Sequence, residues 1–154
     1  MYKREYSPLF DSGFREIALW QLDEVFLSPF GENEQRKYLI DRIQAFINEF
    51  QALGIDSEVW IDGSFSTLKP DPVDVDIVFL FEKEDIDGLD HNKQELFMDL
   101  FQNREKVRTR FSIDVYYIDK NNIEEQQRWI ETFGFDTRKL NSKGIFKIIL
   151  KKNV

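Results

Sequence analysis

"WIDGSFSTLKPDPVDVDIVFLF", Trp60 to Phe81, is the stretch whose reading decides the fold. "SEVWIDG" enters it as a strand running into a turn at Gly63, and "VDVDIVFLF" leaves it as a second strand. Side chains at alternate positions of a strand share a face. Asp74 and Asp76 therefore project together, while Val75, Ile77 and Phe79 fill the other side. The aspartate face continues as Val78 and Leu80, so it is not a solvent face along its whole length. Two carboxylates side by side on a half-buried strand repel each other and lose solvation. A cation between them offsets that cost, and hard divalent ions such as Mg²⁺ take oxygens from carboxylates and substrate phosphates. The plainer alternative has Asp74 capping the turn after Pro72 and Asp76 paired with a neighbouring Lys or Arg.

Two further features lie close by. In "DGSFST" Gly63 lets the chain turn sharply and lets backbone N–H groups approach a ligand, and the Ser64 hydroxyl adds a donor. Ser66, Thr67 and Lys69 supply more donors and one positive charge, although an ordinary polar turn has the same composition. "FSIDVYYI" then places Asp114 on a strand of its own, opposite in facing to Phe111, Ile113, Val115 and Tyr117. If that strand lies beside "DVDIV", three carboxylates converge under the turn. Asp62 and Asp119, nearer to strand ends, read as turn or cap residues.

Outward from this centre, helices and strands alternate. The spacing predicts a helix over "GFREIALWQLDEVFL", capped by Ser12, with Phe14, Ile17, Leu19, Trp20 and Val25 as a loose apolar stripe. A clearer helix runs from about Glu34 to Leu53, with Leu39, Ile43, Phe46, Ile47, Phe50 and Leu53 at three- and four-residue steps and Gly54 as C-cap. "NKQELFMDLFQN" and "NIEEQQRWIETFG" are further helices, and "GIFKIILKK" reads as a last strand, with a short buried helix as the alternative. "EKEDIDGLD" reads as a solvated loop without the ligand order of a calcium loop, and His91 as a helix-start residue. Trp20, Trp60 and Trp129 read as core. The expectation is one α+β (α/β) domain over residues 1–154, a mixed sheet flanked by helices.

Composition narrows the chemistry. Among 154 residues 42% are hydrophobic and 15% aromatic, ample for a core, and the net charge of −8 argues against a broad nucleic-acid-binding surface. There is no Cys and a single His, which excludes thiol nucleophiles and Cys or His-rich zinc sites and makes a Ser-His-Asp triad a poor fit. No apolar run is long enough to span a membrane, and "MYKREYSPLFDSG" lacks a signal-peptide core, so a cytoplasmic protein is expected.

Taken together, "GSFS…DVDIV…SIDVYY" resembles the signature of the DNA polymerase β-like nucleotidyltransferase superfamily over roughly residues 57–118. "DGSFSTLKPDPVDVDIV" with the downstream "TFGFDTRKLNSKGIFKIIL" looks like a small family of stand-alone bacterial and phage nucleotidyltransferase-like proteins, which carries no established substrate. The resemblance implies that Asp74, Asp76 and Asp114 hold two Mg²⁺ (or Mn²⁺) ions and that Gly63 and Ser64 bind the triphosphate of a nucleotide. It further implies transfer of a nucleoside monophosphate to a hydroxyl of RNA, protein or a small molecule, with Asp114 as a general base. Lys69, Arg138 and Lys143 are expected to neutralise phosphate charge, unless they are solvated surface charges. Nothing resembles a separate acceptor-recognition domain. The other expectation consistent with the sequence is a non-catalytic protein of the same fold that binds nucleotide or a protein partner, for example in a two-component bacterial or phage system.

Overall fold

The computed structural model describes residues 6–135 and 142–152. After a short strand β1 (Phe14–Glu16) and a 3-10 turn come α1 (Leu22–Phe26), α2 (Glu34–Gln51), β2 (Ser57–Asp62) and β3 (Val75–Phe81). Three helices follow, α3 (Lys83–Asp87), α4 (His91–Phe101) and α5 (Arg104–Phe111), and the chain finishes with β4 (Ile113–Asp119), α6 (Ile123–Phe133) and β5 (Ile145–Leu150). Four of these helices start at a side-chain cap, as short polar residues at such positions favour. Asn33, Asp90, Asn103 and Asn122 each accept from the backbone N–H three residues on, in α2, α4, α5 and α6.

The five strands form one mixed sheet in the order β1-β5-β2-β3-β4. β2 is antiparallel to both of its neighbours, whereas β1 with β5 and β3 with β4 run parallel. Strand alternation then sorts the side chains into two unequal cores. Val59 and Ile61 from β2, Val75, Ile77, Phe79 and Phe81 from β3, and Phe146 and Ile148 from β5 join the apolar faces of α1, α2, α4 and α5. Seven Phe rings meet there, mostly edge to face, around Phe79 and Phe101. The opposite face is smaller: Trp60, Val78, Leu80, Ile118 and Ile145 lie under Trp129, Ile130 and Phe133 of α6.

Three expectations change. The segment around Phe14 is extended rather than helical, because Gly13 at φ +75° turns the chain and Phe14–Glu16 pair in register with Ile145–Lys147. That long-range pairing outweighs a weak helical stripe; Ile17 and Val25 are buried, while Trp20, expected in the core, is 76% exposed. Residues 104–111, "REKVRTRF", form α5, so Phe111 ends a helix rather than starting a strand. Within the acidic "EKEDIDGLD" stretch Lys83–Asp87 is α3, one and a half turns with Ile86 packed on the core.

Candidate functional site

The register of the sheet sets three carboxylates in a row. Asp62 of β2 lies directly opposite Asp76 of β3, and Asp76 lies opposite Asp114 of β4. All three have the parity of Trp60, Val78 and Tyr116, which makes the row the polar continuation of the smaller core. At ~4.8 Å between strands the row spans about 10 Å. Asp74 stands two residues before Asp76, just ahead of β3. Asp74, Asp76 and Asp114 are all half-buried.

Each end of the row is tied to a cation. At the β2 end, Lys143 Nζ sits 3.0 Å from Asp62 Oδ1, both side chains nearly enclosed. Lys143 is held there by its N–H, which donates to Gly134 O at 2.7 Å just after α6, and by the entry into β5. Burial pushes the Asp62 carboxyl up to about 7, against the opposing pull of Lys143, of the Ser66 hydroxyl and of the Gly63 backbone. At the β4 end, Arg108 of α5 reaches back across the α5–β4 turn to Asp114. Its Nε lies 2.7 Å from Asp114 Oδ1, and Nη2 converges on the same oxygen. The turn works because Ser112 adopts φ +57°, donating to Arg108 O at 2.9 Å and accepting from Val75 N at 3.1 Å. Asp114, by hydrogen bond and then by charge, and Asp74 by charge raise the affinity of the Arg108 guanidinium for its proton.

Gly63 occupies the centre. At φ +83°, a Cβ on it would fall 2.5 Å from Asp76 Oδ2. Real Cβ atoms do not come that close to a carboxylate, so the first thing this glycine admits is Asp76 itself. The one-turn 3-10 helix Ser64–Ser66 follows. The Ser66 hydroxyl, expected as a phosphate donor, is buried and donates to Asp62 Oδ1 at 2.9 Å, with Gly63 O also in reach. Ser64 is half-buried, and its carbonyl accepts from both the N–H and the hydroxyl of Thr67.

Beneath the turn lies a residue to which the sequence reading assigned no role. Arg36 of α2 is fully buried, and among the described residues no carboxylate pairs with it. Instead its guanidinium donates to the carbonyls of Phe26, Phe65, Thr67 and Lys69 at 2.6–3.2 Å and stacks on the Phe30 ring, 3.6 Å from its centroid. Burial draws its pKa down to about 10, which leaves it protonated at neutral pH. Asn33 and Gln35 donate to Pro70 O and Pro72 O, so the start of α2 fixes the whole turn from Phe65 to Pro72. Lys69 is half-buried with its carbonyl held by Arg36. Arg138 lies outside the described residues.

The donor set is oxygen only, which fits a hard divalent ion rather than a transition metal that prefers nitrogen or sulfur. Among the described residues no three His, Cys, Asp or Glu side chains are gathered as a metal cage. The geometry gives the reason: the outer two carboxylates of the row are turned toward Lys143 and Arg108.

The class defined so far is an α+β protein on a five-stranded mixed sheet, with a cation-flanked acidic row crossing three adjacent strands. The chain belongs to a family of unknown function, DUF6932, whose model matches residues 10–149. No curated protein and no solved structure matches it. Among the described residues no helix is long and apolar enough to cross a membrane.

Proposed function

We propose that this chain is a divalent-metal-dependent nucleotidyltransferase of the DNA polymerase β-like kind, moving a nucleoside monophosphate from a triphosphate to a hydroxyl acceptor. The observation that carries the reading is the register Asp76 opposite Asp114, with Gly63 seated against Asp76 and Asp74 two residues before it in the chain. Asp74, Asp76 and Asp114 would hold Mg²⁺ or Mn²⁺. The metal, when bound, would lower the pKa of the acceptor hydroxyl and steady the leaving pyrophosphate. The chain itself contributes order. Arg36 fixes the turn that carries Gly63 and Ser64, Gly63 keeps space for the Asp76 carboxylate, and the Ser64 hydroxyl is a donor for the triphosphate. Asp114 stands at the edge-strand end of the row, where it can take a proton from the acceptor once Arg108 has moved aside.

The test incubates the protein with each α-labelled nucleoside triphosphate, Mn²⁺ or Mg²⁺, and a cell extract as the source of acceptor. The expected result is a labelled RNA, protein or small molecule, with Asp76→Asn lowering the yield more than about a hundredfold while the fold persists. A wild-type protein that binds triphosphate and metal yet labels nothing would leave a nucleotide-binding protein of the same fold. An Asp76→Asn variant as active as the parent would remove the reading altogether.

A further inference from the structure

The metal-dependent reading leaves a conflict. Arg108 makes both of its contacts to Asp114 Oδ1, so a divalent ion arriving there meets a carboxylate whose charge is already partly neutralised. The conflict has a way out that the ion pair at the other end lacks. The Arg108 side chain is 59% exposed, on the solvent side of a helix, whereas Lys143 is only 12% exposed. A guanidinium in water swings between partners at little cost, and its planar fork matches a phosphate as well as a carboxylate. Asp74 also acts on this cation, by charge and more weakly than Asp114.

We propose that Arg108 is an exchangeable counter-cation: it occupies Asp114 in the nucleotide-free protein and transfers to the phosphates of the incoming triphosphate, releasing Asp114 for the metal. This inference rests on the metal-dependent reading. It makes metal and triphosphate bind as a pair. Metal alone must compete with Arg108 for the charge of Asp114. Metal arriving with triphosphate gives Arg108 a new anion and frees the carboxylate in the same event. The incoming metal takes the place of the guanidinium at Asp114, the guanidinium takes a phosphate, and no covalent bond is made or broken.

Arg108→Gln separates the two halves of this exchange, because its effects have opposite signs. Mn²⁺ alone, titrated by electron paramagnetic resonance, binds the variant about two- to fivefold more tightly than the parent, the size of one exposed ion pair. The Mn²⁺ complex of inorganic tripolyphosphate, titrated by calorimetry, binds the variant about tenfold more weakly, the loss of a charge-assisted contact. Arg108→Lys keeps the charge without the fork, so its affinity for Mn²⁺ alone stays at the parental level while tripolyphosphate binding falls partway. Equal or weaker binding of Mn²⁺ alone by Arg108→Gln overturns the proposal, because a residue that merely stabilises α5 or binds phosphate cannot tighten metal binding. A parent that binds Mn²⁺ and its tripolyphosphate complex, with variants indistinguishable from it, removes the exchange and leaves the metal site standing. A parent that binds neither removes both.

Discussion

The two ends of the acidic row carry the same kind of bond in opposite media. Lys143 and Asp62 meet where both are almost shut off from water, with Ser66 completing the carboxylate's hydrogen bonds. Arg108 and Asp114 meet at the surface, where the guanidinium is open to solvent. Burial makes the first pair hard to break, because either partner left alone keeps a charge it cannot hydrate. Solvent makes the second pair easier to open from one side, because water and salt compete for the Arg108 guanidinium while the Asp114 side chain is only 16% exposed. One end of the row is built to stay and the other to change hands.

The largest test of that contrast is Lys143→Met. With Asp62 left buried and unpaired, the folded state should lose about 3–5 kcal/mol at pH 8, and a domain of this length then melts on the order of 10 °C lower. The double variant Asp62→Asn with Lys143→Met should recover most of the loss. Thermal melts of the three proteins check this, and a Lys143→Met protein that melts with the parent would erase the distinction between the ends.

Next in size is a pH effect confined to the buried end. The Asp62 carboxyl is raised by burial to about 7, well above its unfolded value. Between those limits the folded state binds more protons than the unfolded one. Stability from this group is therefore full at acid pH and falls as pH rises toward 7. Relative to Asp62→Asn, the parent should lose on the order of 2–4 kcal/mol between pH 4 and pH 8. Urea titrations of both proteins across that range give the difference. A difference that is flat or rises with pH would mean that Lys143 already keeps Asp62 ionised at low pH.

Between the ends, Gly63→Ala tests the centre. The extended, positive-φ backbone at Gly63 (φ +83°, ψ −167°), a region that glycine alone enters freely, costs an alanine ~1–3 kcal/mol. Its Cβ must also push the Asp76 carboxylate aside, so Mn²⁺ affinity should fall along with the melting temperature. An alanine variant that is less stable but binds metal normally would confine Gly63 to a backbone role. The smallest effect belongs to the exposed end: in EDTA, Arg108→Gln should shift the melting temperature least of these variants, and high salt should shrink the difference further.

How much of this was legible in the sequence depended on whether a feature was local. The β3 alternation and the long stripe of α2 were, because period two and period 3.6 are written into consecutive residues. α5 was not, since Val107 and Phe111 are its only buried residues amid alternating basic side chains. Asp114 was placed on a strand of its own, but its neighbour depended on β3 and β4 pairing parallel across three intervening helices. Asp62 looked like a turn residue beside Gly63, and only the β2–β3 register makes it a member of the row. Arg36 did leave a signal. It stands on the same face as Ile40, Ile43 and Ile47, and a charge on an apolar stripe asks for a buried partner. Lys143, expected near phosphate, gave no hint of Asp62, because nothing local joins residues eighty-one apart.

Arg36 also has a consequence in time. It joins α2 to a turn 29 to 33 residues further along the chain. The turn cannot lift away without stranding several carbonyls and a desolvated guanidinium at once, so there is no cheap partial opening. A surface turn rich in Gly, Ser and Pro ordinarily exchanges its amide protons quickly. The amides of Ser66 and Thr67, which donate to Gly63 O and Ser64 O, should instead exchange together with the middle of α2, as one cooperative unit. The platform that carries Gly63 and Ser64 thus keeps its shape until the domain itself lets go.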